Sequence, residues 1–461
     1  MTDHHAGPTA PAVQGHPSGR ARAKLLAAGM IVASFEWYDF ALYGTAASLV
    51  FPHVFFPDSS ATAGILLSFA TFWAGFVGRP LGGLIAGHLG DRRGRKGMVI
   101  VSLALMGLGT FAIGCLPGAR AIGVAAPILL VAVRLVQGLA CGAQWGGTVL
   151  LLTESAQPKR KGLAGTFGQM GVSIGSTGGL LLFLLLVDLV SPADFLSWAW
   201  RIPFLVSILL FPVALYIHRK VDETPEFRRL AQQRGKQSGH HVVRAPVAEV
   251  IRKHWRVILL GAGLMAGTNA VSYVTTTGLI NYATTTLGFS ISSVLSVGAP
   301  IALAGTLLTP LTGWLSDRIG RRPVVLAGAT LTVLWAFPYF WLVNTRSLAL
   351  FAAAIFVGVL GGTLIYGPLA AYLSELFAPQ VRYSGISAAY QLSSIAVGGA
   401  SPLIMAAIIA KTGSTVLVSA YLAAMGAITL VCALVLRETN PEAVRNDPAA
   451  VPGLEQAVAA D

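Results

Sequence analysis

The chain has 461 residues, of which 54% are hydrophobic and only 11% charged, and its formal net charge is +13. A soluble globular domain carries about 25% charged residues, so the composition excludes one and points to a polytopic membrane protein. The excess of base would suggest a nucleic-acid partner in a soluble chain; here it takes its meaning from the loops that carry it, and no nucleic acid is implied.

In chain order, the first residues are rich in Pro, Gly and His and lack an apolar segment of the signal-peptide kind, so 1–22 reads as a disordered tail. Apolar runs of about 20 residues follow at 25–50, 62–86, 98–116, 124–150, 163–187 and 199–218. They resume at 257–281, 292–314, 324–343, 347–373, 384–410 and 414–436. The expected organisation is all-α, with twelve transmembrane helices in two pseudo-symmetric six-helix bundles. The bundles span 23–218 and 257–437, joined by a charged linker at 219–256 and followed by a second disordered tail at 438–461.

Of the 32 Lys and Arg residues, 26 fall on alternating loops of one side, whereas the opposite loops hold only Arg120, Arg346 and Lys411. By the positive-inside rule, both termini and the linker are cytoplasmic. Cys115, Cys141 and Cys432 all lie in apolar runs, so no disulfide framework is implied, and no metal motif or cofactor site is legible.

The loop after the second run is Gly87-His-Leu-Gly90-Asp91-Arg-Arg-Gly94-Arg95-Lys-Gly97. A degenerate copy, Gly313-Trp-Leu-Ser-Asp317-Arg-Ile-Gly-Arg321-Arg-Pro323, follows 226 positions later. Glu154, closing the fourth run, is likewise repeated by Glu375, closing the tenth. The chain is therefore a duplication, and duplicated halves that rock about a midplane site are a transporter plan. In the loop itself, glycines permit close backbone approach, Asp91 can sit at a helix N-terminus, and Arg95 can pair with Glu154. Asp317, Arg321 and Glu375 are expected to repeat this, so the two loops read as gating latches made while one side is closed.

Repeated G-x-L-x-D-R-x-G-R-[KR] loops, twelve runs and the linker resemble the major facilitator superfamily across essentially the whole chain. Glu36-Trp-Tyr-Asp-Phe40, Gly78-Arg-Pro-Leu-Gly-Gly83, Arg134-Leu-Val-Gln-Gly138 and Trp200-Arg-Ile-Pro-Phe204 resemble its metabolite:proton symporters. That resemblance implies small carboxylates or zwitterions as substrates (citrate, 2-oxoglutarate, shikimate, proline or betaine), protons as co-substrate, and function as a single copy in a bacterial-type inner membrane. The chain departs from the pattern at Gln144, where the resemblance leads one to expect a glutamate. The small-residue stripe Gly165, Gly168, Gly171, Gly175, Gly178 and Gly179 suits tight helix contact. It is similar to that of antiporters in the superfamily but lacks their Gly-Pro step, which favours uptake over export.

An ionisable group at bilayer depth costs about 2.5–3.5 kcal/mol to insert, so each one is a functional candidate. Glu36, Asp39 and Tyr43 recur at i, i+3 and i+7 on one helical face. Arg79 and Arg134 come from the second and fourth runs. The two acids are expected to carry protons, and Arg134 is the favoured ligand of a substrate carboxylate, since a guanidinium holds one in bidentate fashion. Arg79 reads either as a second ligand or as a side chain snorkelling to the interface. The alternative for the whole group is a permanent salt-bridge cluster that holds helices together.

Runs seven to twelve carry no charge at mid-depth. Asn269, Tyr273 and Thr276 share a face at i, i+4 and i+7, and Tyr366, Tyr390 and Gln391, with Gln137 of the first half, complete a polar substrate lining. Helix-bridging polar contacts are the plainer reading of each. The rival functions are a proton-driven exporter of the same fold and a membrane sensor that binds without moving its ligand. No nucleophile motif, phosphate loop or metal pair suggests an enzyme.

Overall fold

The computed structural model describes residues 19–83, 95–209 and 247–440, apart from 143, 155, 379 and 380. Among these residues the regular structure is entirely helical. Twelve spans follow in order, six to each bundle. The first half contributes Gly19–Leu49, Ala61–Gly83, Arg95–Cys115, Ala125–Leu150, Lys161–Leu189 and the broken Ala199–Leu209. The second contributes Arg252–Thr285, Ile291–Ile319, Arg321–Val343, Leu348–Leu376, Arg382–Thr412 and Val416–Val435.

Nine of these helices, among the described residues, are long and apolar enough to cross a membrane. Span 1 carries Glu36, Trp37, Tyr38 and Asp39 within its apolar sequence. Spans 3 and 6 have shorter apolar lengths, Val101–Cys115 and Ala199–Leu209. Helix starts are set locally: Ser60 and Ser290 accept hydrogen bonds from the Ala63 and Ser293 amides at 3.2 and 3.1 Å, satisfying orphan donors of the first turn.

Span 5 lies between span 1 and span 8 and so belongs to both halves' seam. The glycine stripe makes this possible. A methyl group at Gly175 would collide with the Ser34 carbonyl, so the two backbones meet where no other residue fits. Gly175→Val is expected to lose about 1–3 kcal/mol or more through overpacking; a lowered Tm of the detergent-purified protein measures it.

Two spans depart from regular α-helix where the halves face each other. Val274–Gly278 in span 7 and Ser394–Gly398 in span 11 are π-helical turns. A wider turn leaves carbonyls turned out of the helix, and here the other half uses them. Ser48 Oγ donates to the Thr277 carbonyl at 2.8 Å, and the Trp73 indole donates to the Ile395 carbonyl at 3.0 Å.

Three expectations about boundaries change. Ordered helix begins at Gly19, within the segment read as a tail, and at Val247, within the segment read as a linker. Glu438, Thr439 and Asn440, read as the start of a disordered tail, are held by hydrogen bonds. The Glu438 carboxylate accepts from the Arg321 and Arg322 amides at 2.9 and 2.8 Å, capping span 9, and Asn440 donates to the Asp317 carbonyl at 2.9 Å. A polar Glu-Thr-Asn run carries no apolar period, so its order comes from this cap rather than from burial of a stripe.

Candidate functional site

The four intramembrane charges of the first half meet in the middle of its bundle as two pairs. Glu36 lies 3.7 Å from Arg79, and Asp39 lies 3.1 Å from Arg134. Both guanidinium groups are fully buried, which excludes snorkelling as the reading of Arg79. The two pairs differ in how well they are held. Asp39 also accepts from Thr110 Oγ1 at 2.5 Å and Gln137 Nε2 at 3.0 Å, while Gln137 Oε1 accepts from Arg134 at 3.1 Å. No nitrogen of Arg79 meets an acceptor in ordinary hydrogen-bond geometry, and the Tyr390 hydroxyl of the second half faces its guanidinium. Arg134 has Nε and Nη2 free as well, but its Nη1 is spent on Asp39 and Gln137.

Aromatic rings cover both cations. The Arg79 guanidinium stands 4.3 Å from the Phe40 ring centre and 4.4 Å from that of Phe76; Arg134 stands 3.9 Å from Tyr43. Desolvated cation–π contacts of this kind are worth up to about 2 kcal/mol. They hold the charges without consuming their N–H donors. Tyr43, expected to touch substrate, gives its hydroxyl to Thr71 at 2.7 Å and serves as the floor beneath Arg134.

The second half supplies the facing wall. Tyr273 stacks on Trp37 with ring centres 5.7 Å apart, and Tyr390 stacks on Trp145 at 3.9 Å, so each aromatic pair spans the seam. Gln391 Nε2 donates across it to the Gly142 carbonyl at 3.0 Å, and Asn269 Nδ2 donates to Ser393 at 3.0 Å within its own half. Tyr366 has a buried hydroxyl that faces the Trp145 indole of the first half. Thr276 does not share the face of Asn269 and Tyr273. The π-turn changes the helical phase between them, and Thr276 Oγ1 bonds its own helix at the Ser272 carbonyl, 2.8 Å away.

A cavity of 580 Å³ opens at the end opposite the 318–322 loop. Its polar wall comes chiefly from Ser48, His53, Asn281, Tyr282, Thr284 and Ser290. None of the residues singled out from sequence lines it. A Thr-rich helix end reads as surface until the neighbouring spans are known, so the sequence offered no signal for it.

At the other end the seam is closed. The Asp317 carboxylate of span 8 accepts from the Gly162 and Leu163 amides at the N-terminus of span 5, both at 2.8 Å. Arg321 Nη1 holds that carboxylate at 2.6 Å, and Arg321 Nε reaches Glu375 at 3.5 Å. Gly87, Gly90 and Asp91 of the first copy lie outside the described residues, as do the side chains of Arg95, Glu154 and Gln144. Thr110 is the residue of this site that sequence reading missed.

A family model described as Major Facilitator Superfamily matches residues 29–401 and 302–458. The chain is 38% identical over 428 residues to the inner membrane metabolite transport protein YhjE of Escherichia coli K12, covering 92% of this chain and 96% of that one. It is 38% identical over 426 residues to the shikimate transporter of the same organism (91% and 95%), and 30% identical over 440 residues to its proline/betaine transporter (94% and 87%). The fold is similar to that of the proton:xylose symporter XylE, with a TM-score of 0.70 at 16% identity over 92% of this chain and 97% of that one. With twelve spans in two bundles, a loop sequence repeated in each half, and relatives matched over nine-tenths of its length, this chain belongs to the major facilitator superfamily.

Proposed function

We propose that the protein is a proton-coupled secondary transporter that takes up a small organic acid or zwitterion by alternating access in a bacterial inner membrane, with both termini cytoplasmic. The observation that carries this reading is the coexistence of two buried acid–arginine pairs, at 3.7 and 3.1 Å, the first without a hydrogen bond between its partners and the second with its acid held by Arg134, Gln137 and Thr110. The curated relatives, named for shikimate, proline and betaine, support the substrate class.

In this reading Arg79, rather than Arg134, is the ligand for the substrate's carboxylate. The Phe40 and Phe76 rings beside it consume none of its N–H donors, and only a 3.7 Å contact to Glu36 must be relinquished. Protonation of Glu36 removes the competing anion, and the substrate's carboxylate replaces it on Arg79. Asp39 with Arg134, Gln137 and Thr110 forms the second proton-sensitive pair. The outer cavity admits substrate while the Asp317 seam is closed; release on the cytoplasmic side requires that seam to part.

Uptake of labelled shikimate, dicarboxylates, tricarboxylates, proline and betaine into proteoliposomes tests this, with an inward pH gradient imposed and then dissipated. Accumulation of one compound only while the gradient stands is the expected result. Outward flux opposed to protons would replace symport with export, and binding without flux would replace it with sensing. A membrane potential contributes about 2.3 kcal/mol per 100 mV for each net charge, so voltage should drive a zwitterion–proton pair and leave a monoanion–proton pair unaffected.

Thr110→Val removes a hydrogen bond to a charged group, worth about 1.5–3 kcal/mol. It is expected to slow gradient-driven uptake at least about tenfold, with Thr110→Ser restoring it. Initial uptake rates of the two variants check this.

A further inference from the structure

On the side of Glu36 nearer the 318–322 loop, a second, smaller cavity of about 20 Å³ lies between spans 1, 4 and 5. Its lining includes Glu36, Trp37, Trp145, Thr148, Leu152 and Gln169, and Glu36 is its only titratable group. Gln169 is 2% exposed, and neither its amide nitrogen nor its amide oxygen has a hydrogen-bond partner. Two orphaned atoms on one buried amide are rare in a folded protein and call for a ligand. The Glu36 carboxylate, with Arg79 at 3.7 Å, is likewise short of a hydrogen bond among the described residues.

The volume fits one water, which needs at least about 10–15 Å³ and two to four polar partners. Glu36 and both ends of the Gln169 amide supply the polar groups. The other titratable groups near Glu36 are Arg79, Asp39, Cys141, Tyr273, Tyr366 and Tyr390, and none of them lines this cavity.

We infer that Gln169 holds a water against Glu36 and that this water is the first acceptor when Glu36 releases its proton toward the cytoplasmic side. The proton passes from Glu36 Oε to the water as the water gives one up to solvent admitted from the opening seam. Gln169 gains and loses nothing: its Nε2 donates to the water oxygen, its Oε1 accepts from the water, and it is a positioning residue. An amide suits this role because it orients the water without competing for the proton. The inference rests on Glu36 as proton carrier but not on the identity of the substrate.

The test has two arms on the full-length purified protein. Infrared difference spectra between acid and neutral pH identify the Glu36 carboxyl band by its loss in Glu36→Gln, and its hydrogen–deuterium exchange is then timed. Gln169→Met is expected to slow that exchange at least about tenfold, with Gln169→Asn, which keeps a shorter amide, falling between; if the Met variant does not fold, the Asn variant decides by the same slowing. In proteoliposomes with labelled shikimate as probe, Gln169→Met is expected to lose gradient-driven accumulation while counterflow stays within about twofold of wild type, because exchange of substrate across a protonated carrier needs no proton release. Exchange at the wild-type rate in these variants overturns the inference, as does an equal fall in accumulation and counterflow. Slowed exchange in a protein that moves no shikimate would retain the water site and remove shikimate transport from the function proposed above.

Discussion

Asp39→Asn is expected to reduce gradient-driven uptake at least about 100-fold, the scale of removing a positioned proton-transfer group. The same change strands the fully buried Arg134 charge, which costs about 3–5 kcal/mol, so the single variant should also fold poorly. Asp39→Asn combined with Arg134→Gln removes the stranded charge while keeping polar atoms for Gln137 and Thr110 to bond. The double variant is therefore expected to regain a near-wild-type Tm and remain unable to accumulate substrate. A permanent structural salt bridge predicts the reverse: once stability returns, transport returns with it. Tm and uptake measured on the two variants decide between these.

Asp317→Ala should shift the resting population toward a state open at the 318–322 end. It deletes two charge-assisted hydrogen bonds to the span 5 amides and the anion that Arg321 grips at 2.6 Å. Bonds to a charged group are worth about 1.5–3 kcal/mol each; a net loss of about 2 kcal/mol would raise the open fraction roughly thirtyfold. Spin labels at the exposed Gln157 and Arg318, one on each half, report the change as a longer distance component. An unchanged distance distribution would remove Asp317 from the gate.

The architecture was legible because it is written in long-period features. Twenty-residue apolar runs, a loop repeated at a spacing of 226 and a one-sided basic charge are each too extended to arise from local accident. The acids on span 1 were also legible, since burying a charge in lipid needs a reason. What could not be read was which neighbour each group would choose. Asp39 and Arg134 were visible singly, but Thr110, one hydroxyl among many in apolar runs, acquires its role only because span 3 packs beside span 1. Arg134 was favoured from sequence as the bidentate ligand of a carboxylate, while Arg79 read either as a second ligand or as a snorkelling side chain. Arg79 is proposed instead, because Arg134 already spends Nη1 on Asp39 and Gln137, a property of the assembled site. The π-turn at Val274–Gly278 defeated the face shared by Asn269, Tyr273 and Thr276, because a helical wheel assumes an unbroken period.

The Asp317 contact joins a side chain on one half to main chain on the other, and this makes the halves unequal under mutation. Every residue at 317 other than an acid removes the charged, two-oxygen acceptor, Asn leaving a single neutral oxygen for two amides, whereas almost any residue at 163 keeps the donor, because every amino acid but proline has an N–H. Position 162 is constrained for another reason: a methyl group there would press on the Arg321 side chain and the Gly313 carbonyl. Sequence drift along the start of span 5 is thus invisible to the gate at 163 and punished at 162, while span 8 has no such latitude. A screen for variants that loosen the gate should return substitutions of Asp317 by many residues, but of Leu163 by proline alone.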